Sequence, residues 1–331
     1  MVDVPGSDAL PGDARRVVFT PVTTDTSLLH AAALAATGHQ RFVAGALYVV
    51  ATPIGNLADI TLRAVHLLSR VDAVACEDTR MAAQLLGHLG LHKPLLALHA
   101  HNEQGASAAV LARLAQGEAV AYVSDAGTPA VSDPGAVLVA RAAAAGYRVV
   151  PVPGASSALA ALCVAGDAQG GGFRFAGFLP AKGGDRRTAL AAVLADPVTQ
   201  VLFEAPHRIE DLLADLAAAQ PLRRVTLARE LTKQFEDIVT RPAGELPEWL
   251  AADPHRSRGE FVLVLHALPA AAADEGLPAT ALQLLKVLVR ELPLKQAVAM
   301  AAEISGAPRN ALYQQALAWR EGAEQDEPGQ S

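Results

Sequence analysis

The chain has 331 residues, a formal net charge of −7 and a pI near 5.8, and 51% of its residues are hydrophobic but only 4% aromatic. That acidic balance excludes a protein that coats nucleic acid through bulk charge, so any RNA contact must use local patches. No apolar run reaches the roughly 18 residues of a membrane span, and Cys76 and Cys163 lack the spacing of a disulfide framework or a metal site.

The length predicts about two domains plus appendages in a soluble, cytoplasmic chain. Residues 1–44 carry Arg15 and Arg16 among scattered apolar residues, without a signal-peptide core. They read as a poorly ordered extension, with at most a short helix near residues 28–37. The first strand is ALYVVA, residues 46–51, followed at once by Thr52, Pro53, Ile54, Gly55 and Asn56. Asp59 and Thr61 then stand where helix caps belong. This unit has neither the GxGxxG of a dinucleotide fold nor the GxxxxGK of a P-loop.

A second strand, residues 73–76, runs into Glu77, Asp78, Thr79 and Arg80. Such a cluster is either reactive or structural, with Glu77 or Asp78 capping the next helix and Arg80 paired to it. The third strand, residues 95–98, ends in His99, Ala100, His101, Asn102 and Glu103. The two histidines share one face of an extended segment, but no third metal ligand follows from the spacing. Hydrogen bonding to a polar substrate, or simple helix capping by Asn102, is the better reading.

Strand 119–123 opens the loop SDAGTPAVSDP. In it Gly127 lets the backbone approach a ligand, Pro129 fixes the exit and Asp125 supplies a carboxylate. Strand 148–152 ends in Pro153, Gly154, Ala155, Ser156 and Ser157, and the exposed amides of the helix that follows suit a polar ligand. Strands that end in small, polar loops predict a parallel sheet with its ligand at the carboxyl edge.

Glycine-rich residues 166–172 predict a crossing into a second domain. After a strand at 173–179, Lys182, Arg186 and Arg187 form a basic loop suited to phosphate contacts or to solvation. Strands at 200–204, 225–228 and 259–266 follow, with long polar connections consistent with a mixed sheet. Helices are predicted at 282–290, 294–304 and 310–319, separated by Pro293 and the 306–308 turn, a weak helix-turn-helix signal. The acidic, polar residues 321–331 are expected to be disordered. The domains predicted are 45–165 and 173–268, both α/β, and a helical piece at 279–320.

Eight segments occur in order: LYVVATPIGNLADITLRA from Leu47, CEDTR from Cys76, LHAHNE from Leu98, VSDAGTPAVSDPG from Val123, VPVPGASSALAAL from Val150, FAGFLPAKGGDRR from Phe175, FEAPHR from Phe203 and ARELTK from Ala228. Together they resemble the ribosomal RNA small subunit methyltransferase I group of the tetrapyrrole methylase superfamily, over about residues 47–319. The resemblance implies a two-domain, usually dimeric α/β fold with a small C-terminal helical domain. It also implies S-adenosylmethionine between the domains and 2′-O-methylation of a cytidine in the decoding region of 16S rRNA, and the net acidity points to the 30S subunit rather than naked RNA as the substrate. Carried onto this sequence, the cofactor set is Pro53, Asp125, Ala126, Gly127, Pro129, Ser156 and Ser157. The catalytic candidates are Asp78, Arg80 and His101, with His99 beside them, and the RNA-binding set is Lys182, Arg186, Arg187 and Arg208. No metal is expected. The rival expectations are a tetrapyrrole C-methyltransferase, disfavoured by TPIGN in place of a GxGPGD-type first loop, and a non-catalytic ribosome assembly factor.

Overall fold

The computed structural model describes residues 25–99, 103–132, 134–181, 183–268 and 277–325. It opens with helix α1 (Thr26–Thr37), capped by the Asp25 carboxylate. The short helix expected near residues 28–37 is thus present, beginning two residues earlier, and from Asp25 onward the segment is ordered. Leu29 and the fully buried Ala33 join the core beneath α2 (Leu62–Arg70), and the His30 ring bonds the Leu89 carbonyl at 2.8 Å. The helix is held by tertiary burial that its own mild periodicity does not announce.

The apolar strands of the first half form one parallel sheet: β1 (Leu47–Val50), β2 (Ala73–Cys76), β3 (Leu95–Ala97), β4 (Val120–Val123) and β5 (Val149–Val152), in the order β3-β2-β4-β1-β5. Alternate residues of each strand serve opposite cores. Tyr48, Val50, Val74, Ala121 and Val123 pack with α2 and α3 (Thr79–His88), whereas Leu47, Ala75, Val120 and Tyr122 pack with α4 (Glu103–Ala115) and α5 (Ala136–Ala144). The chain leaves β1 towards β2 on one side and leaves the adjacent β4 towards β5 on the other. The carboxyl ends of β1 and β4 are thus the topological switch point, where such sheets open a ligand crevice.

After β5, helix α6 (Ser157–Ala165) leaves the first sheet and covers one face of a second. There Ala158, Ala161 and Ala165 meet Val201, Ala228, Val262 and Val264. The second sheet contains β6 (Phe173–Phe178), β7 (Thr199–Glu204), β8 (Arg224–Arg229), β9 (Asp237–Pro242) and β10 (Phe261–Leu265), in the order β6-β7-β10-β8-β9. Only β6 and β7 run parallel, so the sheet is mixed. Its other face packs against α7 (Gly183–Ala195), α8 (Ile209–Ala219) and α9 (Leu246–Ala251). Strand β9 escapes sequence reading because it is an edge strand whose Asp237, Thr240 and Arg241 dilute the apolar signal.

Helices α10 (Ala279–Glu291), α11 (Leu294–Ser305) and α12 (Arg309–Gln325) close their own core around Leu285, Val298, Ala301 and Leu312. Helix α12 runs past Trp319 to Gln325 where disorder was expected from residue 321, because Glu321, Ala323, Glu324 and Gln325 are good helix formers. Among the described residues no helix is long and apolar enough to cross a membrane.

Candidate cofactor cleft

The loops after β1 and β4 are bolted together. Thr52 and Gly127 exchange backbone hydrogen bonds at 2.9 and 3.1 Å, the Thr52 hydroxyl donates to the Ser124 carbonyl at 3.2 Å, and the Ser124 hydroxyl donates to that of Gly127, also at 3.2 Å. Gly127 has a φ of +84° and a side chain there would press on Ile54, so glycine serves both the turn and the close approach. The loop after β5 joins them through the Thr128 hydroxyl, which donates to the Ala155 carbonyl at 3.0 Å. Further along, Ala130 and Ser132 are held at φ of 64°. Such strain in residues other than glycine concentrates at ligand sites.

These loops face the second domain across a cleft of about 350 Å³, lined by Thr52, Pro53, Gly55, Asp125 and Ala126 from one side and by Lys233 and Glu260 from the other. Met81, Gln84 and His88 of α3 close its end. A side chain at Gly55 would collide with the turn that carries Thr232 and Lys233, so the TPIGN loop is the contact between the domains. The Lys233 ammonium bonds Glu230 at 2.8 Å and Glu260 at 3.0 Å. Burial opposes its charge, yet these bonds hold its pKa above the usual lysine value. On the other side of Ala126 lies a recess of about 70 Å³ between Gly127, Thr128, Ser156, Ser157, Phe178 and Phe203. The Phe178 and Phe203 rings meet edge to face at 5.5 Å. Ser156 starts α6 without a side-chain cap, which leaves helix-start amides open to a polar group.

Of the expected cofactor residues, Pro53, Asp125 and Ala126 line the cleft, while Gly127, Ser156 and Ser157 line the recess. Pro129 lies on the same loop, outside both linings. Sequence reading passed over Lys233, Glu260, Phe178 and Phe203. Lys233, Phe178 and Phe203 stand in the eight segments, but only the packing of two domains brings them to the first sheet's loops. The residues fit S-adenosylmethionine. Asp125 is a carboxylate for a cationic sulfonium, Lys233 is neutralised by Glu230 and Glu260, and backbone groups with two serines suit an adenosine and an amino acid.

Two of the catalytic candidates, Asp78 and Arg80, are bonded to each other. Asp78 caps α3, accepting from the Arg80 amide at 2.8 Å and from the Arg80 guanidinium at 2.6 and 3.1 Å. Those bonds hold the Asp78 carboxyl down at about 2, which makes it a poor proton acceptor. The structural reading of the CEDTR cluster is thus the one the geometry adopts. The Asp78 amide also donates to Asp125 at 3.0 Å, tying α3 to the central loop. Burial, with Asp125 next to it, pushes the neighbouring Glu77 carboxyl up, and His99 partly offsets this. Burial likewise raises the Cys76 thiol to about 11, an inert value. His101 and Lys182 lie outside the described residues.

Two of the expected RNA-binding residues are engaged within the protein. Arg186 and Arg208 reach the fully buried Glu204 at 3.3 and 3.1 Å, and Arg208 also donates to the Leu179 and Pro180 carbonyls at 2.8 and 3.2 Å. These contacts pin the β6–α7 connection, although Arg186 Nη2 and Arg208 Nε are buried without a hydrogen-bond partner, and Arg187 stays exposed. Sequence reading missed this because Glu204 ends an apolar strand and shows no sign of needing two partners. Among the described residues no cluster of His, Cys, Asp or Glu is able to hold a metal ion.

Comparison with known proteins agrees with this architecture. The family model for Tetrapyrrole (Corrin/Porphyrin) Methylases matches residues 46–247, and that for the RsmI C-terminal HTH domain matches residues 275–320. The chain is 50% identical over 279 residues to the ribosomal RNA small subunit methyltransferase I of Neisseria meningitidis serogroup B, covering 84% of this chain and 95% of that protein. Its identity to the proteins of the same name in Pseudomonas aeruginosa and Escherichia coli O157:H7 is also 50%, over 83% and 82% of this chain and 97% and 95% of theirs. Among solved structures, that of diphthine synthase superposes with a TM-score of 0.53 at 16% identity, covering 66% of this chain and 89% of that one, a likeness of fold alone. With a parallel sheet open at its switch point, a mixed second sheet across the cleft and a helical C-terminal domain, the chain belongs to the tetrapyrrole methylases, in the ribosomal RNA small subunit methyltransferase I family.

Proposed function

We propose that this protein transfers the methyl group of S-adenosylmethionine to the ribose 2′-hydroxyl of a cytidine in the decoding region of 16S rRNA. The observation that carries the reading is the cleft at the β1–β4 switch point, in a chain half identical to methyltransferases named for small-subunit rRNA. Bound S-adenosylmethionine supplies an electrophilic methyl on a sulfonium. The chain's own contribution is position. Thr52, Gly127 and Thr128 fix three loops into one cradle, and holding two reactants in line is worth on the order of 7–11 kcal/mol of barrier. Asp125 and Pro53 hold the cofactor in the cleft, and Ser156 and Ser157 hold it in the recess. Glu77, whose carboxyl is pushed up by burial, is a better acceptor for the hydroxyl proton than the acid-locked Asp78.

The substrate is read as the cytoplasmic 30S subunit, since an acidic chain gains little from naked RNA. Equal methylation of free 16S rRNA and of 30S subunits would refute that part. The working form is read as a homodimer, supported by large apolar side chains left exposed on α6 and β6: Leu159, Val164, Phe173 and Phe178. Mass spectrometry of decoding-region fragments from cells with and without the protein tests the activity. One ribose methyl is expected to vanish and to return with the intact chain but not with Asp125→Ala. An unchanged methylation pattern overturns the reading.

A further inference from the structure

The turn between β8 and β9 has two sides. One presents Lys233 to the cleft. The other faces a second groove of about 510 Å³, lined by Arg229, Glu230, Phe235, Asp253, His255, Arg258 and Gly259. Its conformation is strained and heavily held. Glu230 and Thr232 sit at φ of 51° and 66°. The Glu230 carboxylate accepts from the Glu260 amide at 3.0 Å, and Glu236 accepts from the Thr232 amide at 2.6 Å. The Arg229 guanidinium donates to the Phe235, His255 and Arg258 carbonyls at 3.1, 3.4 and 3.3 Å, stapling the turn to the opposite wall.

On this rigid frame the Phe235 residue is 66% exposed. It stands in water where its own carbonyl is held by Arg229 and the turn before it by the Thr232–Glu236 bond. Across the groove His255 and Arg258 are exposed. The acidic groups nearby are occupied: Glu230 is paired to Lys233, and Asp253 caps its own turn through the His255 amide. Arg256 lies over the Trp249 ring at 4.4 Å and approaches Asp237 at 3.9 Å, so it is spent. An aromatic platform beside an exposed guanidinium, that of Arg258, is the arrangement that takes a nucleotide by its base face and its phosphate.

We propose that this groove seats a nucleotide flanking the methylated one. Its base stacks on Phe235 and its phosphate faces Arg258, so that single-stranded RNA bends over the β8–β9 turn with the target nucleotide in the cleft. The inference rests on the RNA reading above and places the second half of the RNA contact on the opposite side of Lys233.

The test uses the full-length protein with unmethylated 30S subunits. Phe235→Ala is expected to raise KM for the subunit roughly ten- to a hundredfold, the range for losing one base stack, with kcat and cofactor affinity retained. Phe235→Trp is expected to restore KM, whereas Phe235→Leu is not. Arg258→Ala is expected to reduce the salt dependence of RNA binding by about one ion. Wild-type KM in both Phe235→Ala and Arg258→Ala overturns the proposal. If the wild type methylates no rRNA, the functional reading has failed instead. Binding of a fluorescein-labelled decoding-region oligonucleotide then decides the groove separately, and equal affinity of wild type and Phe235→Ala rejects it.

Discussion

Asp78 illustrates how a residue's role follows from its bonds. Its folded value of about 2 lies below the ordinary carboxylate value of 3.8, held there first by hydrogen bonds from Arg80. A depressed carboxylate stabilises the fold fully above the unfolded value and loses that contribution as pH falls through the folded one. The stability gap between wild type and Asp78→Asn, measured by urea denaturation, is therefore expected to stay constant from about pH 7 to 5 and to shrink between about pH 4 and 2. A gap that persists unchanged to acid would show that the cap and ion pair are not formed. Glu204 makes the opposite kind of contact, buried with two guanidinium partners. Glu204→Ala leaves Arg186 and Arg208 without a counter-charge and is expected to cost about 3–5 kcal/mol in chemical denaturation. A loss under about 1 kcal/mol would return both arginines to the RNA-facing set.

At the scale of elements, local pattern and tertiary override divide cleanly. Runs such as 119–123 and 259–266 declare buried strands because they are apolar throughout, and Pro293 and the 306–308 turn announce where helices break. Helix α1 has no such signal, since Leu28 and Leu34 face water while its buried residues are Ala33 and Thr37. Its order comes from the surface it covers. Ala33→Glu, which places a charge against the α2 packing face, is expected to destabilise the chain by roughly 2–4 kcal/mol and to leave the central loops intact. Thermal unfolding with and without cofactor checks both parts. An unchanged midpoint would mean that α1 contributes nothing to the first domain.

For the whole molecule the decisive element is α6. It begins at the recess with Ser156 and Ser157 and ends buried in the second domain, so domain packing and cofactor geometry share one helix. Ala161 is fully buried between α6 and the second sheet. Ala161→Leu is expected to cost about 1–3 kcal/mol through overpacking and to weaken cofactor binding as the helix is displaced. Calorimetric titration with S-adenosylhomocysteine measures the second effect. Lost stability with unchanged affinity would separate the helix from the site.

By itself the sequence determined the α/β class, the parallel first sheet, the helical C-terminal domain and the loops that carry Pro53, Asp125, Gly127 and Ser156, because strand periodicity and turn chemistry are local. The tertiary structure alone decided which charges are free. Arg186 and Arg208 were indistinguishable from Arg187 until Glu204 was found buried between them, and Lys233 until two carboxylates closed on it. The physical reason is that a side chain's charge is available to a ligand only after its intramolecular partners are counted, and those partners lie far along the chain or in another element.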